Sequence, residues 1–177
     1  LIVKYLENSV ESIKHCGNRI NELIDISNVI VKTLQNGGKI LFCGNGGSAA
    51  QSQHLAAEFS GRFLLDRPGL SAISLTTDTS AITAIANDYG YENVFKRQVL
   101  ALGSSEDILI GLSTSGKSNN IIEAFNAAKK KNMITIAMIG SSKTEMSYLA
   151  DHIIYCKGTS TNFIQEERFV LGHIICY

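Results

Sequence analysis

The 177-residue chain has no tryptophan, a single proline and no excess of charge, with sixteen Lys and Arg against sixteen Asp and Glu. That balance leaves no overall field to draw the protein onto nucleic acid or an anionic membrane, so a charged ligand has to be held by local groups. Long apolar runs are also missing. The longest, such as Ile134 to Ile139, fall well short of the roughly 18 residues of a membrane span. Lys4, Glu7, Glu11 and Lys14 interrupt the first residues, a spacing incompatible with the apolar stretch of a signal peptide there. Cytoplasm is therefore the expected address. The first residue is Leu rather than Met, and the last ones are still apolar, so the sequence is expected to be trimmed at both ends.

Paired cysteines are absent too. Cys16, Cys43, Cys156 and Cys176 form no C-x-x-C motif, and three of them lie inside apolar segments. Such thiols are expected to be buried, reduced and without a part in chemistry. No linker or low-complexity segment divides the chain, and its length suits one domain, residues 1–177, that buries roughly 70% of its unfolded surface.

What is present begins with a helical arm. Val3, Leu6, Val10, Ile13, Gly17, Ile20, Ile24, Ser27, Val31 and Leu34 recur at steps of three and four. This spacing predicts one long helix, or two that break near Gly17, stopped by Gly37 and Gly38. The arm, residues 1–36, lies outside the repeat that follows and is expected to bury its narrow apolar seam against another helix or another subunit.

From Lys39 onward, short apolar runs alternate with helical stretches. KILFC, SAISL, DILIGL, MITIAMI and HIIYC read as strands. Ser48–Phe63, Ser80–Leu102 (two helices parted at Asp88–Tyr91), Ser118–Lys131 and Lys143–Leu149 read as helices. Five strands with helical crossovers argue for an α/β fold with a parallel sheet covered on both faces. KILFCGNGGSAAQS and DILIGLSTSGKSNN both run strand, Gly/Ser turn, helix. In the doubly wound, flavodoxin-like 2-1-3-4-5 order these are the adjacent strands at the switch point, where ligands bind.

Each of those two loops imitates a nucleotide motif. Gly44-x-Gly46-x-x-Ala49 fits the loose dinucleotide fingerprint, but the next strand ends near Asp78, more than 30 residues on, too far for the acid that takes the ribose. Gly111 to Ser118 is a literal G-x-x-x-x-G-K-S, yet no later strand ends in the Asp that would hold magnesium. No nucleotide cofactor is expected. The plainer chemistry of Ser113, Thr114, Ser115 and Ser118 remains: hydroxyls and backbone N–H groups at the positive end of a helix, suited to one phosphate monoester. The alternative is ordinary helix capping by Ser118.

His54 and Glu58 are four apart on the helix after the first loop and so share a face. Gln165 and His173 lie in the final segment, NFIQEERFVLGHIICY, which reads as a mostly buried helix. The run GNGGSAAQSQHLAAEF, the Asn87-Asp88-Tyr89-Gly90 turn, GLSTSGKS, and IQEE with His173 beyond it together resemble the phosphoheptose isomerases of the sugar-isomerase (SIS) domain class. The resemblance covers nearly the whole chain.

It implies a cytoplasmic homotetramer that interconverts sedoheptulose 7-phosphate and D-glycero-D-manno-heptose 7-phosphate on the way to lipopolysaccharide or capsule. It further implies Glu58 and His173 as catalytic residues and a zinc ion held by His54, Glu58, Gln165 and His173. Substrate contacts would be Asn45, Gly46, Gly47, Ser48, Glu58, Asn87, Asp88, Ser113, Thr114, Ser115, Ser118 and Gln165. The chemistry agrees: moving a carbonyl along an enediol needs a base beside it and a second group for the oxygen protons. Glu58 suits the first role and His173 the second.

Two difficulties accompany that ligand set. A zinc-bound carboxylate is a weaker base, so ligation and proton abstraction compete at Glu58. Gln165 and His173 are eight residues apart, about 12 Å of helix, so they share a metal only if Gln165 reaches down or the two come from different subunits. Three positions depart from the family pattern: Asn162 stands where relatives often have Asp, Arg168 where they often have His, and Lys117 where they often have Asn. The competing reading is a non-catalytic tetrameric scaffold of the replication-initiator-associating type, with the same fold.

Overall fold

The computed structural model describes residues 1–140 and 142–177. Five parallel strands form one sheet in the order β2-β1-β3-β4-β5: β1 (Ile40–Gly44), β2 (Ala72–Ser74), β3 (Ile108–Ser113), β4 (Ile134–Gly140) and β5 (His152–Cys156). Order and strands agree with the expectation from sequence. The middle strands are buried on both faces, every residue of β1 and β3 included, which is why they read as unbroken apolar runs rather than alternating ones.

Alternation reappears in where the side chains go. Ile40, Phe42, Ile108, Ile110, Leu112, Ile136 and Met138 point to one face, where α2 (Ile20–Gln35), α3 (Gly47–Ser60) and α8 (Thr161–Cys176) cover them with Leu23, Ile26, Ile30, Leu55, Phe59 and Leu171. Leu41, Cys43, Leu109, Ala137 and Ile139 point to the other. There they meet α5 (Val94–Leu102), α6 (Asn119–Lys130) and α7 (Glu145–Leu149), with α4 (Thr79–Tyr89) at the margin. The break between α4 and α5 falls at Gly90, whose φ of +85° only glycine takes without strain. Asp78, too distant for a ribose, caps α4 by accepting from the Ala81 N–H at 2.9 Å.

The arm is α1 (Ile2–Lys14) and α2, joined through a 3-10 turn over His15–Arg19 that contains Gly17. Among the described residues of the single chain no other helix covers the expected seam, and cover by another subunit remains the expectation. Val3, Leu6, Val10, Ile13, Ile20, Ile24 and Val31 are exposed, and the arm buries a different stripe, Ser12, Cys16, Leu23, Ile26, Ile30 and Thr33. Both stripes recur at helical spacing, and the sheet takes the second. Polar contacts pin α1 to α8: Tyr5 and Ser9 hydroxyls donate to the two oxygens of Glu166, and Ser12 donates to the Phe163 carbonyl. Among the described residues no helix is long and apolar enough to cross a membrane.

Candidate active site

The C-terminal ends of β1 and β3 open into the two loops singled out by sequence. After β1 the chain turns at Gly46, with φ of +54°, and enters α3 at Gly47. A Cβ on Gly47 would stand 2.9 Å from Gln165 Nε2, so α8 packs against a bare backbone there. Asn45 is fixed by a reciprocal pair of amide bonds with Asn120, at 2.9 and 2.8 Å, and by the Tyr91 hydroxyl at 3.1 Å. Neither Asn120 nor Tyr91 was singled out by sequence, since an amide on a helix gives no signal of its partner.

Asn45, Ser48, Ser113, Thr114, Ser115, Ser118, Thr161 and Gln165, with Leu112, line a cavity of about 430 Å³. None of these side chains is charged. The first residues of α3 and α8 and the N-cap of α6 all reach this cavity, so three helix dipoles present their positive ends to it. Ser118 stands at the N-cap of α6 but its side chain makes no capping bond; its Oγ lies 3.2 Å from that of Ser113. The hydroxyl is therefore not spent on the helix. Ser113 Oγ accepts the Gly116 N–H at 3.0 Å, which orients the loop.

Lys117, which completes the nucleotide lookalike, is exposed and belongs to a neighbouring cavity with Asn45, Tyr91, Glu92, Ser118, Asn119 and Asn120. Asn87 and Asp88 sit at the exposed end of α4, bonded to each other at 2.8 Å, and line neither cavity.

Two helical turns further along α3 the chemistry changes. His54 Nε2 lies 3.0 Å from Glu58 Oε1 and 3.0 Å from His173 Nε2 on α8. One ligand atom from each of the three falls within 4.8 Å of the others. Phe169 meets both imidazoles at 4.7 Å between centroids, edge-on to His173, and Phe63 stacks on His173 at 5.3 Å. Arg67 donates to the carbonyls of Glu58 and Phe59, both at 2.9 Å, and so braces the turn that carries the carboxylate. Two imidazole nitrogens and a carboxylate oxygen converging on one point form a donor set that fits a divalent metal such as zinc with positions left for substrate. Gln165 stands at the other end of α8, in the hydroxyl-lined cavity beside Gly47.

The SIS domain family matches residues 4–140. The phosphoheptose isomerase of Helicobacter pylori (strain P12) is 49% identical over 177 residues, covering 99% of this chain and 92% of that protein. The chain belongs to the phosphoheptose isomerase family. It is an isomerase of the SIS fold. Solved phosphoheptose isomerases agree closely in structure: that of Neisseria gonorrhoeae has a TM-score of 0.93 at 39% identity, and that of Francisella tularensis 0.94 at 35%. Each alignment covers 99% of this chain and 94% of the other. Helix α8, with Gln165 and His173, lies beyond the residues that the domain family matches, and is covered by these whole-chain relatives.

The departures from the family pattern have distinct surroundings. Asn162 bonds Ser160 and the Tyr5 hydroxyl, and so helps dock the arm. Arg168 is wholly buried and spans three elements: its Nε donates to Gln51 Oε1 at 2.9 Å, one terminal nitrogen to Ser48 Oγ at 2.8 Å and the other to the Met138 carbonyl at 3.5 Å. Burial pulls its guanidinium down to about 10, still well above neutrality. The four cysteines are buried and unpaired, and burial pushes the Cys43 thiol up to about 12, in keeping with inert side chains.

Proposed function

We propose that this isomerase interconverts sedoheptulose 7-phosphate and D-glycero-D-manno-heptose 7-phosphate through an enediol, in the cytoplasm, toward the heptose of lipopolysaccharide or capsule. The observation that carries this reading is the convergence of His54 and Glu58 of α3 with His173 of α8, two helices whose first turns line an uncharged, hydroxyl-rich cavity. The phosphate occupies the cavity, held by Ser113, Thr114, Ser115 and Ser118 with the backbone of Gly46 and Gly47. Ser48 also faces the phosphate, Asn45 and Gln165 hold the adjoining hydroxyls, and Asn87 and Asp88 reach the sugar from the end of α4. Ser48 and His54 are six residues apart on α3, a rise of about 9 Å. An open-chain seven-carbon sugar phosphate spans that interval and a triose phosphate does not.

At the far end Glu58 takes the proton from the carbon beside the carbonyl, and His173 moves protons between the two oxygens of the enediol. His54, Glu58 and His173 would hold a zinc ion, which when bound would polarise those oxygens. Gln165 joins that ligand set only if a second copy of the chain presents it, because its own α8 keeps it at the cavity. The exposed seam of the arm supports assembly, which we read as a homotetramer with residues 1–36 at its interfaces. Four free, buried thiols suit a reducing compartment.

The test is direct: the purified chain, loaded with zinc, is given sedoheptulose 7-phosphate and the aldose phosphate is followed by discontinuous chromatography. Turnover of the seven-carbon substrate far above that of a pentulose phosphate is expected. No turnover, with the fold intact, would return the chain to the scaffold reading, which has no use for Glu58 and His173 at 3 Å scale contact with a third ligand.

A further inference from the structure

We infer that Arg168 is a buried counter-charge for the bound phosphate, acting as a positioning residue through Ser48; this rests on the phosphate reading of the cavity between β1 and β3. The cavity lining carries no formal charge, yet the ligand proposed for it is a dianion at neutral pH. Backbone dipoles and hydroxyls orient toward an anion but leave its charge unbalanced. Arg168 supplies the missing sign from behind the wall. Its side chain is 0% exposed, and the partners it bonds, Gln51 Oε1, Ser48 Oγ and the Met138 carbonyl, are all neutral.

A buried guanidinium without a carboxylate is costly, because desolvation of the cation is not repaid by an opposite charge. The adjacent buried carboxylate does not repay it: Glu167 turns away, accepting from the N–H groups of Lys157 and Gly158 at 2.7 and 3.1 Å. Among the hydrogen-bond partners of Arg168, only Ser48 also lines the cavity. With its oxygen occupied by the guanidinium N–H, the Ser48 hydroxyl is left to donate outward, so an anion in the cavity meets a proton polarised by the charge behind it. The cost of burying Arg168 in the empty protein is thereby offset when substrate arrives, and the same charge is screened little because water is excluded around it.

The alternative is a purely structural staple between α8, α3 and β4. Arg168→Met and Arg168→Lys separate the two roles. Inorganic sulfate is the probe, being a dianion over the working pH range, and its affinity is measured by calorimetry on the full chain beside Tm and the kinetics with sedoheptulose 7-phosphate. Arg168→Met is expected to weaken sulfate and raise KM by roughly tenfold or more, with kcat changed much less. Arg168→Lys, which keeps the charge and loses the fork, is expected to lower Tm but to hold sulfate within about threefold of the parent.

Equal sulfate affinity in Arg168→Met and the parent, or equal loss in Met and Lys variants, would overturn the counter-charge. If Arg168→Met yields no folded protein, the Lys variant decides alone: lowered Tm with retained sulfate supports the inference, and a parallel loss of both overturns it. A parent chain that binds no sulfate and turns over no sugar phosphate would instead remove the phosphate reading beneath it.

Discussion

The hydroxyl-lined cavity and the His54–Glu58–His173 cluster share two helices and are otherwise opposites. The cavity is built from strand ends, a glycine turn and helix N-termini, with Ser113 and Ser48 buried. In the proposed reading its work is to present fixed dipoles, and dipoles are strong only where the backbone cannot reorient. The cluster stands on helix faces near the surface, with the His54 side chain 42% exposed and that of Glu58 20%. Groups that exchange protons must be reached by substrate and solvent. On that proposal holding and reacting are separated by two turns of α3, and the difference between the halves says which measurements should respond to which residue.

The largest expected effect strikes the reacting half alone. Glu58→Gln keeps the size of the side chain and removes the base; kcat should fall by roughly 10²–10⁴-fold, while sulfate affinity and Tm stay put. An undiminished rate would end the assignment of Glu58. Next comes metal removal: dialysis against a chelator should abolish most turnover, zinc should restore it, and sulfate should bind equally well before and after. Sulfate lost together with the metal would show that the two halves are one site.

Ser113→Ala and Ser115→Ala test the holding half, raising KM by about tenfold through loss of a charge-assisted hydrogen bond with kcat nearly unchanged. A fall in kcat instead would place the reacting atoms in the cavity. The smallest kinetic effect, none, is expected at the opposite, N-terminal end of the strands, just before the central β3. Asp107 is 1% exposed and accepts from Lys39 N and Nζ and from Ser104 N and Oγ, at 2.7–2.9 Å. Burial pushes its carboxyl up, but those bonds outweigh burial and hold it below the ordinary value. A depressed carboxyl stabilises the fold above about pH 4, its unfolded value, and that contribution is lost as pH falls through the lower folded value. Asp107→Asn should cost about 2–3 kcal/mol, flatten this acid limb of the stability profile, and leave KM and kcat as they were.

The sheet was legible because a parallel sheet covered on both faces writes its strands as apolar runs between glycine-rich turns. The residues that the fold gathers in the cavity and in the cluster were legible as candidates for a related reason: they lie beside those turns or at helical spacing from them. Other features were not. The arm carries two apolar stripes, Leu23-Ile26-Ile30 facing the sheet and Ile20-Ile24-Val31 facing outward, and periodicity alone cannot choose between them. The burial of Arg168 was equally invisible, since a charged residue between an acid and a phenylalanine reads as a solvated face until the sheet supplies the carbonyl it reaches. Asn120 and Phe63 act through partners remote in sequence, and Arg67 through carbonyls eight and nine residues back across a loop; no local pattern announces such pairs.

The side-by-side packing of α3 and α8 also limits how this gene can change. Gly47 meets Gln165, Gln51 meets Arg168, and His54 meets His173, so the two helices are read off against each other like graduated rules. Inserting or deleting one residue between Gln165 and His173 turns everything beyond it by about 100° and carries His173 off the shared face. Exposed loops that brace neither helix can gain or lose residues over generations. The interval of eight between Gln165 and His173 cannot, and its length should be as invariant as the residues at its ends.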